Sequence, residues 1–166
     1  NVILETAGYK TALLSSVRRK VDSWSEPNLT GNTMPGRFMI QRFLADAVKA
    51  HVNYVLIEVT SQGVIQHRHR FIEWDAAIFT NLAPEHIEAH GSFENYRNAK
   101  LGFFHSLTDS KKPVKYFFIN EADSTRHYFE EAARRTLDAR IDFFSRERFI
   151  KEDLGSHYNL KTKPSR

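Results

Sequence analysis

The chain has 166 residues and a formal net charge of +4, with 41% apolar and 27% charged residues. This composition is that of a globular domain with a real core, and its mild positive charge suits an anionic ligand. The sequence contains no cysteine, which excludes disulfides and thiolate metal sites. Because no apolar run approaches roughly 18 residues and no signal peptide is visible, we expect a cytoplasmic protein with no membrane partner.

The first half of the chain alternates between helix and strand patterns. Residues 1–7 read as the last turns of a helix stopped by Gly8, and residues 11–17 read as a strand. A polar, turn-rich stretch at residues 21–32 follows. Thr33 then caps a helix that has Pro35 in its first turn. The apolar face of this helix, at helical spacing, comprises Ile40, Phe43, Leu44, Ala47 and Val48.

The second half predicts four strands and two more helices. Residues 54–59 and 76–79 are short apolar runs rich in strand formers, joined by a polar loop. A helix over residues 92–107 follows, capped by Ser92. The remaining predicted elements are a strand at 114–119, a helix at 125–138 and a strand at 140–144. This alternation predicts an α/β fold with a mostly parallel sheet and helices on both faces.

Neither end of the chain carries the signal that normally bounds an element. The first helix begins without a capping residue, and the polar, basic residues 158–166 contain no closing element. We therefore expect the natural sequence to continue beyond both ends. A naturally short protein with a frayed start is the alternative.

Polar side chains follow the two central strands at the edge where open α/β sheets bind ligands. Glu58 and Thr60 end the first run, and Thr80 and Asn81 end the second. His86 and His90 would share one face of a helix, which is a weak signal for a metal pair. A hard-cation site built from Glu58, His86 and water molecules is more plausible, because Mg²⁺ takes few protein ligands.

Two arginines follow the polar loop after the first central strand. Arg68 and Arg70 come after Thr60 and Gln66, and guanidinium groups match carboxylates and phosphates. The pattern predicts a pocket for a polar, anionic small molecule. The alternative is a basic surface loop with ordinary salt bridges.

Lys100 lies on the apolar stripe of the helix predicted over residues 92–107. It comes four residues after Tyr96 and three before Phe103. A lysine in that position is expected to be paired, to extend its ammonium group to solvent, or to be functional.

Over residues 58–100 the sequence resembles the Mur ligases, the ATP-dependent amide-forming enzymes of peptidoglycan synthesis. E-V-T-S-Q-G at 58–63 and Q-H-R at 66–68 match two motifs of the type that adds the third residue. F-T-N-L-A-P-E-H at 79–86, H-G-S-F-E-N-Y at 90–96 and A-K at 99–100 match three more. The order and spacing of these motifs agree with the family throughout, so the resemblance is specific.

The resemblance implies roles for individual residues. Glu58 and His86 would hold Mg²⁺, and Lys100 would be carbamylated so that its new carboxylate binds a second Mg²⁺; these three would be the catalytic residues. Asn120 and Asp123, in a segment like N-x-D-D with alanine at position 122, are assigned to the nucleotide side. The residues implied to bind the UDP-muramoyl-peptide are Asn32, Thr33, Thr60, Gln66 and Arg68, with Met34 replacing the second threonine of the family's N-T-T segment.

The largest departure from the family is the lack of a phosphate loop, because no G-x-x-G-K-[ST] run occurs in these 166 residues. We therefore expect a P-loop-NTPase-like Mur ligase central domain without its phosphate loop. Residues 1–150 would be a partial ATPase domain, and residues 151–166 a polar basic tail or a cut end. The fragment alone is expected to be inactive.

The activity implied for the complete protein is ligation of an amino acid to UDP-N-acetylmuramoyl-dipeptide with ATP and Mg²⁺, through an acyl phosphate. The resemblance leaves open which amino acid is added. One alternative is a non-catalytic relative that binds a muramoyl peptide or a nucleotide. A folate-polyglutamate ligase and a nucleic-acid-binding domain are weaker alternatives, because the segments of the former and the modules of the latter are not seen.

Overall fold

The computed structural model describes residues 1–83 and 90–147, and the chain divides into two compact units. Of the described residues, the first unit comprises 1–72 and 98–103, and the second comprises 73–83, 90–97 and 104–147. Both contain helices and strands, which confirms the predicted α/β class. The domain boundary predicted at residue 150 lies outside the described residues and stays a prediction.

The first unit contains a four-stranded sheet with the strand order β3-β2-β1-β4. β1 and β4 are parallel, whereas β1–β2 and β2–β3 are antiparallel. The positive φ of Gly8, +86°, follows the first helix, as its sequence pattern predicts. The elements are α1 (Val2–Thr6), β1 (Thr11–Leu14), β2 (Arg18–Val21), β3 (Trp24–Pro27), α2 (Arg37–Lys49), β4 (Tyr54–Ile57) and α3 (Ser61–Ile65).

The core of the first unit joins β1 to the inner face of α2. The apolar face predicted for α2 is confirmed at three of its five positions, while Leu44 is only partly buried and Val48 is 74% exposed. The helix therefore buries a narrower face than its sequence pattern indicates. The fully buried members of this core are Ala12, Leu14, Met34, Ile40, Phe43 and Ala47.

Residues 18–27, which overlap the polar stretch expected to be a loop, form a β-hairpin of β2 and β3. Val21 pairs with Trp24 across a two-residue turn in which Asp22 has a φ of +52°. Arg19 and Glu26 lie opposite each other, with Nη1 and Oε1 3.8 Å apart. The hairpin is largely exposed and therefore lacks the apolar alternation from which strands are predicted.

Two local predictions for this unit are wrong. The residue at the N-cap position of α2 is Gly36 rather than Thr33, so Pro35 precedes the helix instead of lying in its first turn. The loop predicted after β4 contains the five-residue helix α3. α3 is too short for its amphipathic period to be recognised, and it depends on a side-chain cap rather than on intrinsic propensity.

The second unit contains a three-stranded, fully parallel sheet with the order β5-β6-β7. Phe79 and Phe129 stack in its core with ring centroids 3.8 Å apart, and Phe104 packs edge-on against Phe129. The strand pairings thus form two sheets rather than the single one expected, and three of the five pairings are parallel. The elements are β5 (Ala76–Phe79), α4 (Phe93–Thr108), β6 (Lys115–Asn120), α5 (Arg126–Arg134) and β7 (Ala139–Phe144), and residues 98–103 of α4 belong to the first unit.

The helix caps of the second unit show where local sequence is decisive. Ser92 caps α4 by accepting a hydrogen bond from the backbone N–H of Asn95 at 3.1 Å, as predicted. α5 ends at Arg134, four residues earlier than predicted, and Asp138 then adopts a φ of +58° before β7.

Across the described residues, no helix combines the length and apolarity that a membrane span requires.

Candidate active site

Glu58 lies just past β4, beside the loop that follows β1. Because β1 and β4 are parallel neighbours, the segments that follow them leave the sheet at the same edge. The backbone N–H of Glu58 donates to the carbonyl of Leu14 at 2.8 Å. Oε2 of Glu58 accepts hydrogen bonds from the backbone N–H of Ser16 at 2.8 Å and from its hydroxyl at 3.1 Å. The sequence pattern predicts one continuous strand over residues 11–17, whereas β1 ends at Leu14 and Ser16 lies in the loop that follows it.

Thr60 caps the short helix α3. Its Oγ1 accepts a hydrogen bond from the backbone N–H of Gly63 at 3.0 Å. A Cβ at Gly63 would lie 2.5 Å from Sδ of Met34, so only glycine lets the two segments approach this closely. The cap and the glycine together place the Q-H-R segment next to the segment that contains Asn32 and Thr33.

Arg68 joins the same two segments. Its Nη1 donates a short hydrogen bond to the carbonyl oxygen of Met34, and its side chain is half-buried. Among the residues that the structure describes, Nε and Nη2 make no further hydrogen bond. Gln66, at the C-cap of α3, is exposed. Arg68 therefore has a structural contact and unused donors at once.

The segment before α2 is held by a hydrogen-bonded turn. Asn28 donates through Nδ2 to the carbonyl of Ser15 at 2.7 Å and to the carbonyl of Asn32 at 3.0 Å. Asn32 is exposed, and Thr33 is half-buried. Asn28 thus ties the loop after β1, which contacts Glu58, to the segment predicted to bind substrate.

Lys100 lies on α4 one turn after Tyr96, and its side chain is half-buried. Lys100 and Glu58 belong to the same compact unit. The third predicted metal ligand, His86, lies outside the described residues. Within residues 1–83 and 90–147, no group of three or more histidine, aspartate or glutamate side chains is arranged to hold a metal ion.

The residues present fit Mg²⁺ better than a zinc ion. Glu58 is an exposed carboxylate with one oxygen, Oε2, held by two donors. Mg²⁺ prefers such oxygen ligands and fills its other positions with water or phosphate oxygens, so one or two carboxylates are sufficient. The chain has no cysteine, and His90 is buried with its ring centroid 5.3 Å from that of Tyr96.

Asn120 and Asp123 connect the ends of β5 and β6. Nδ2 of Asn120 donates to the carbonyl of Thr80 at 2.7 Å, and its Oδ1 accepts from the backbone N–H of Ala122 at 3.0 Å. Asp123 accepts from the backbone N–H of Leu82 at 3.0 Å through Oδ2 and from that of Thr125 at 2.8 Å through Oδ1. Both side chains are thus hydrogen-bonded to backbone groups at the strand ends. This structural role differs from the contact with a nucleotide that the resemblance implies.

His69 is a buried histidine close to the Q-H-R segment. It is 5% exposed, and its ring packs edge-on against Phe103 with centroids 6.2 Å apart. Burial lowers the pKa of His69 below its usual value near 6.5, and the nearby His67 and Arg70 lower it further, whereas a hydrogen bond with the backbone of Gly63 opposes them. His69 is therefore neutral at physiological pH and belongs to the packing under this segment.

Comparison with known proteins shows the family to which the chain belongs. The family described as the Mur ligase middle domain matches residues 2–163. The chain therefore belongs to the Mur ligase middle-domain family. A solved structure of a UDP-N-acetylmuramoyl-L-alanyl-D-glutamate–2,6-diaminopimelate ligase superposes with a TM-score of 0.69 over 86% of this chain and 27% of that one. At 22% identity, this superposition shows a shared fold.

Three curated relatives are similar to this chain over part of their length. A 2,6-diaminopimelate ligase from Geobacillus kaustophilus is 35% identical over 131 residues, which is 77% of this chain and 26% of the relative. A UDP-N-acetylmuramyl-tripeptide synthetase from Borreliella afzelii is 32% identical over 163 residues, covering 93% of this chain and 31% of the relative. A Staphylococcus aureus L-lysine ligase is 35% identical over 97 residues, which is 58% of this chain and 20% of the relative. This chain therefore spans less than a third of the length of these relatives.

Proposed function

We propose that this chain is the central part of a ligase that uses ATP and Mg²⁺ to join an amino acid to UDP-N-acetylmuramoyl-dipeptide. The family match over residues 2–163 carries the proposal. The names of the relatives support the substrate class, since they describe ligases of UDP-N-acetylmuramoyl-L-alanyl-D-glutamate. Because those relatives add either 2,6-diaminopimelate or L-lysine, the amino acid added here is left open.

The proposed reaction forms one amide bond for each ATP consumed. The terminal carboxylate of the dipeptide receives the γ-phosphoryl group, and ADP is released. The amine of the incoming amino acid then attacks the acyl carbon, the carbon–oxygen bond to phosphate breaks, and the nitrogen loses a proton. Bound Mg²⁺ would neutralise charge on the transferred phosphoryl group. Such electrostatic stabilisation, together with positioning of the reactants, accounts for most of the catalysis of phosphoryl transfer.

Glu58 and His86 are proposed to hold one Mg²⁺, and Lys100, as a carbamate, a second. For Glu58 the support is its place at the shared end of two parallel strands, with its carboxylate turned to a fixed loop. For Lys100 the support is its half-buried place on the stripe of α4, because a carbamylated lysine beside cations is an anion rather than a desolvated ammonium. The role of His86 rests on its motif alone.

The muramoyl-peptide is proposed to lie along Asn32, Thr33, Thr60, Gln66 and Arg68. Arg68 keeps Nε and Nη2 as donors for an anionic group. Oγ1 of Thr60 accepts the cap hydrogen bond, and its own hydroxyl proton is still available for a substrate oxygen. For the nucleotide, Asn120 and Asp123 are proposed as residues that shape the strand ends near it.

A ligation assay on the complete protein tests this proposal. UDP-muramoyl-dipeptide, ATP and Mg²⁺ are supplied with either 2,6-diaminopimelate or L-lysine, and ADP and the amide product are measured. We expect product with one amino acid and a loss of roughly 10²–10³-fold in kcat for Glu58→Gln. Glu131→Gln, which removes an exposed carboxylate paired with Arg135 on α5, is the matched control and should keep full activity.

The second candidate function is a relative that binds a muramoyl peptide or a nucleotide without catalysis. The same assay separates the two functions, because a binding protein would retain the UDP-muramoyl-dipeptide in equilibrium dialysis and release no ADP. The cytoplasmic location expected from the sequence stays a prediction.

A further inference from the structure

Both hydrogen-bond donors of Ser16 point to the same oxygen of Glu58. The backbone N–H lies 2.8 Å and the hydroxyl 3.1 Å from Oε2. In the part of the chain that the structure describes, Oε1 accepts no hydrogen bond. The two carboxylate oxygens of this exposed side chain are therefore unequal, since Oε2 accepts both hydrogen bonds and Oε1 accepts none there.

The loop that carries Ser16 is held by hydrogen bonds on both sides. The backbone N–H of Ser15 donates to the carbonyl of Arg18 at 3.0 Å, and Asn28 donates through Nδ2 to the carbonyl of Ser15 at 2.7 Å. The backbone N–H of Asn28 also donates to the carbonyl of Val17 at 3.0 Å. These contacts do not involve Glu58, so the donors of Ser16 are in place before the carboxylate meets a cation.

We propose that Ser16 is a positioning residue that makes Glu58 a one-oxygen metal ligand and thereby favours Mg²⁺ over Ca²⁺. The inference rests on the proposed function, since it concerns the same Mg²⁺. Mg²⁺ requires a near-ideal octahedron at about 2.0–2.1 Å, whereas Ca²⁺ accepts six to eight oxygens, including both oxygens of one carboxylate. A carboxylate with one oxygen already engaged by two donors suits the octahedral coordination of Mg²⁺ and disfavours binding of Ca²⁺ through both carboxylate oxygens.

Titration of the isotopically labelled complete protein with Mg²⁺ and, separately, with Ca²⁺ tests this role. Binding is followed by NMR through the backbone amide signals of residues 16 and 58. We expect Ser16→Ala to weaken Mg²⁺ binding about tenfold, at the low end of the range for groups that orient metal ligands, because the backbone donor remains. Ca²⁺ binding should change about twofold or less, so the ratio of the two affinities shifts. Ser16→Thr keeps the hydroxyl and should restore the wild-type ratio.

Three controls separate this role from a structural one. Ser23→Ala changes an exposed serine in the turn of the same sheet and should alter neither affinity. Ser16→Gly is a second variant without the hydroxyl and should reproduce the shift if Ser16→Ala fails to fold. Thermal unfolding of each variant shows whether the fold is retained, and we expect little change because Ser16 is exposed.

The possible results distinguish this inference from the function on which it rests. If the hydroxyl-free variants bind Mg²⁺ as tightly as the wild type, or lose Mg²⁺ and Ca²⁺ affinity equally, Ser16 does not set selectivity and the metal role of Glu58 stands. If Glu58→Gln leaves the Mg²⁺-dependent signals unchanged, or the wild type shows none, both the metal role and the inference are wrong.

Discussion

The two units of the molecule place polar side chains at the same kind of location and use them differently. In the first unit, Glu58 follows a parallel strand with Oε1 accepting no hydrogen bond within the described residues. In the second, Asn120 ends a parallel strand and Asp123 follows it, and their side chains are hydrogen-bonded to the backbone of Thr80 and Leu82. A strand-end position therefore identifies where a side chain lies, and its hydrogen bonds decide whether it is available to a ligand.

The difference has a physical basis in the backbone around each strand end. The loop after β1 supplies its own hydrogen bonds through Ser15 and Asn28, so Glu58 is not required to hold it together. The loops after β5 and β6 leave backbone groups at residues 80, 82 and 122 that the side chains of Asn120 and Asp123 satisfy. These hydrogen bonds engage Nδ2 and Oδ1 of Asn120 and both carboxylate oxygens of Asp123, so these side chains are committed to structure.

The largest expected effect concerns Lys100. In the complete protein, Lys100→Ala should lower kcat by roughly 10²–10³-fold, because a metal-binding anion is removed from the site. Formate or acetate should restore part of the activity by replacing the missing carbamate. Steady-state ligation assays measure both effects. Full activity of Lys100→Ala without formate or acetate would contradict the carbamate role.

Asp123→Ala should break the second unit's strand-end connection. We expect a loss of about 2–3 kcal/mol in the free energy of unfolding, because the N–H groups of Leu82 and Thr125 lose their acceptor. Glu58→Gln in the first unit should change stability by well under about 1 kcal/mol, since Glu58 is exposed. Urea unfolding of both variants measures this contrast, and equal losses would contradict the division of roles.

Gly63→Ala should separate the two segments that Arg68 connects. We expect a loss of about 1–3 kcal/mol from overpacking, because the new Cβ would lie 2.5 Å from Sδ of Met34, which is itself 1% exposed. Gly102→Ala is the matched control, where the nearest atom, Cγ1 of Val64, lies at 3.2 Å. The gain in helix propensity of up to about 1 kcal/mol offsets the cost of the 3.2 Å contact with Val64. Chemical denaturation of Gly102→Ala should therefore show almost no change in the free energy of unfolding.

The smallest expected effect is the pH dependence that His69 contributes. Its folded-state pKa lies below the unfolded value near 6.5, so between these two values the unfolded chain binds more protons. The free energy of unfolding should therefore fall as pH decreases through 6.5, and this contribution is fully lost below the folded-state pKa. Denaturation at several pH values measures the slope, which His69→Gln should reduce and His105→Gln, at an exposed position, should leave unchanged.

Local sequence was sufficient for elements whose stability is local or strongly periodic. The cap at Ser92, the stop at Gly8 and the strand Ala76–Phe79 were all predicted where the structure has them. The hairpin at β2 and β3 and the helix α3 were missed. Their residues do not alternate between apolar and polar or repeat at helical spacing, and both depend on contacts with neighbouring segments.

What the sequence determined by itself is the family, the α/β class and the identity of the polar residues at the strand ends. Motif order and apolar periodicity are properties of the chain, so they can be recognised without coordinates. Only the tertiary structure decided which of those residues are free to act. The commitment of Asp123 to Leu82, and of Ser16 to Glu58, joins residues 41 and 42 positions apart. Such pairings depend on the register of neighbouring strands and on unsatisfied backbone groups, which no local pattern encodes.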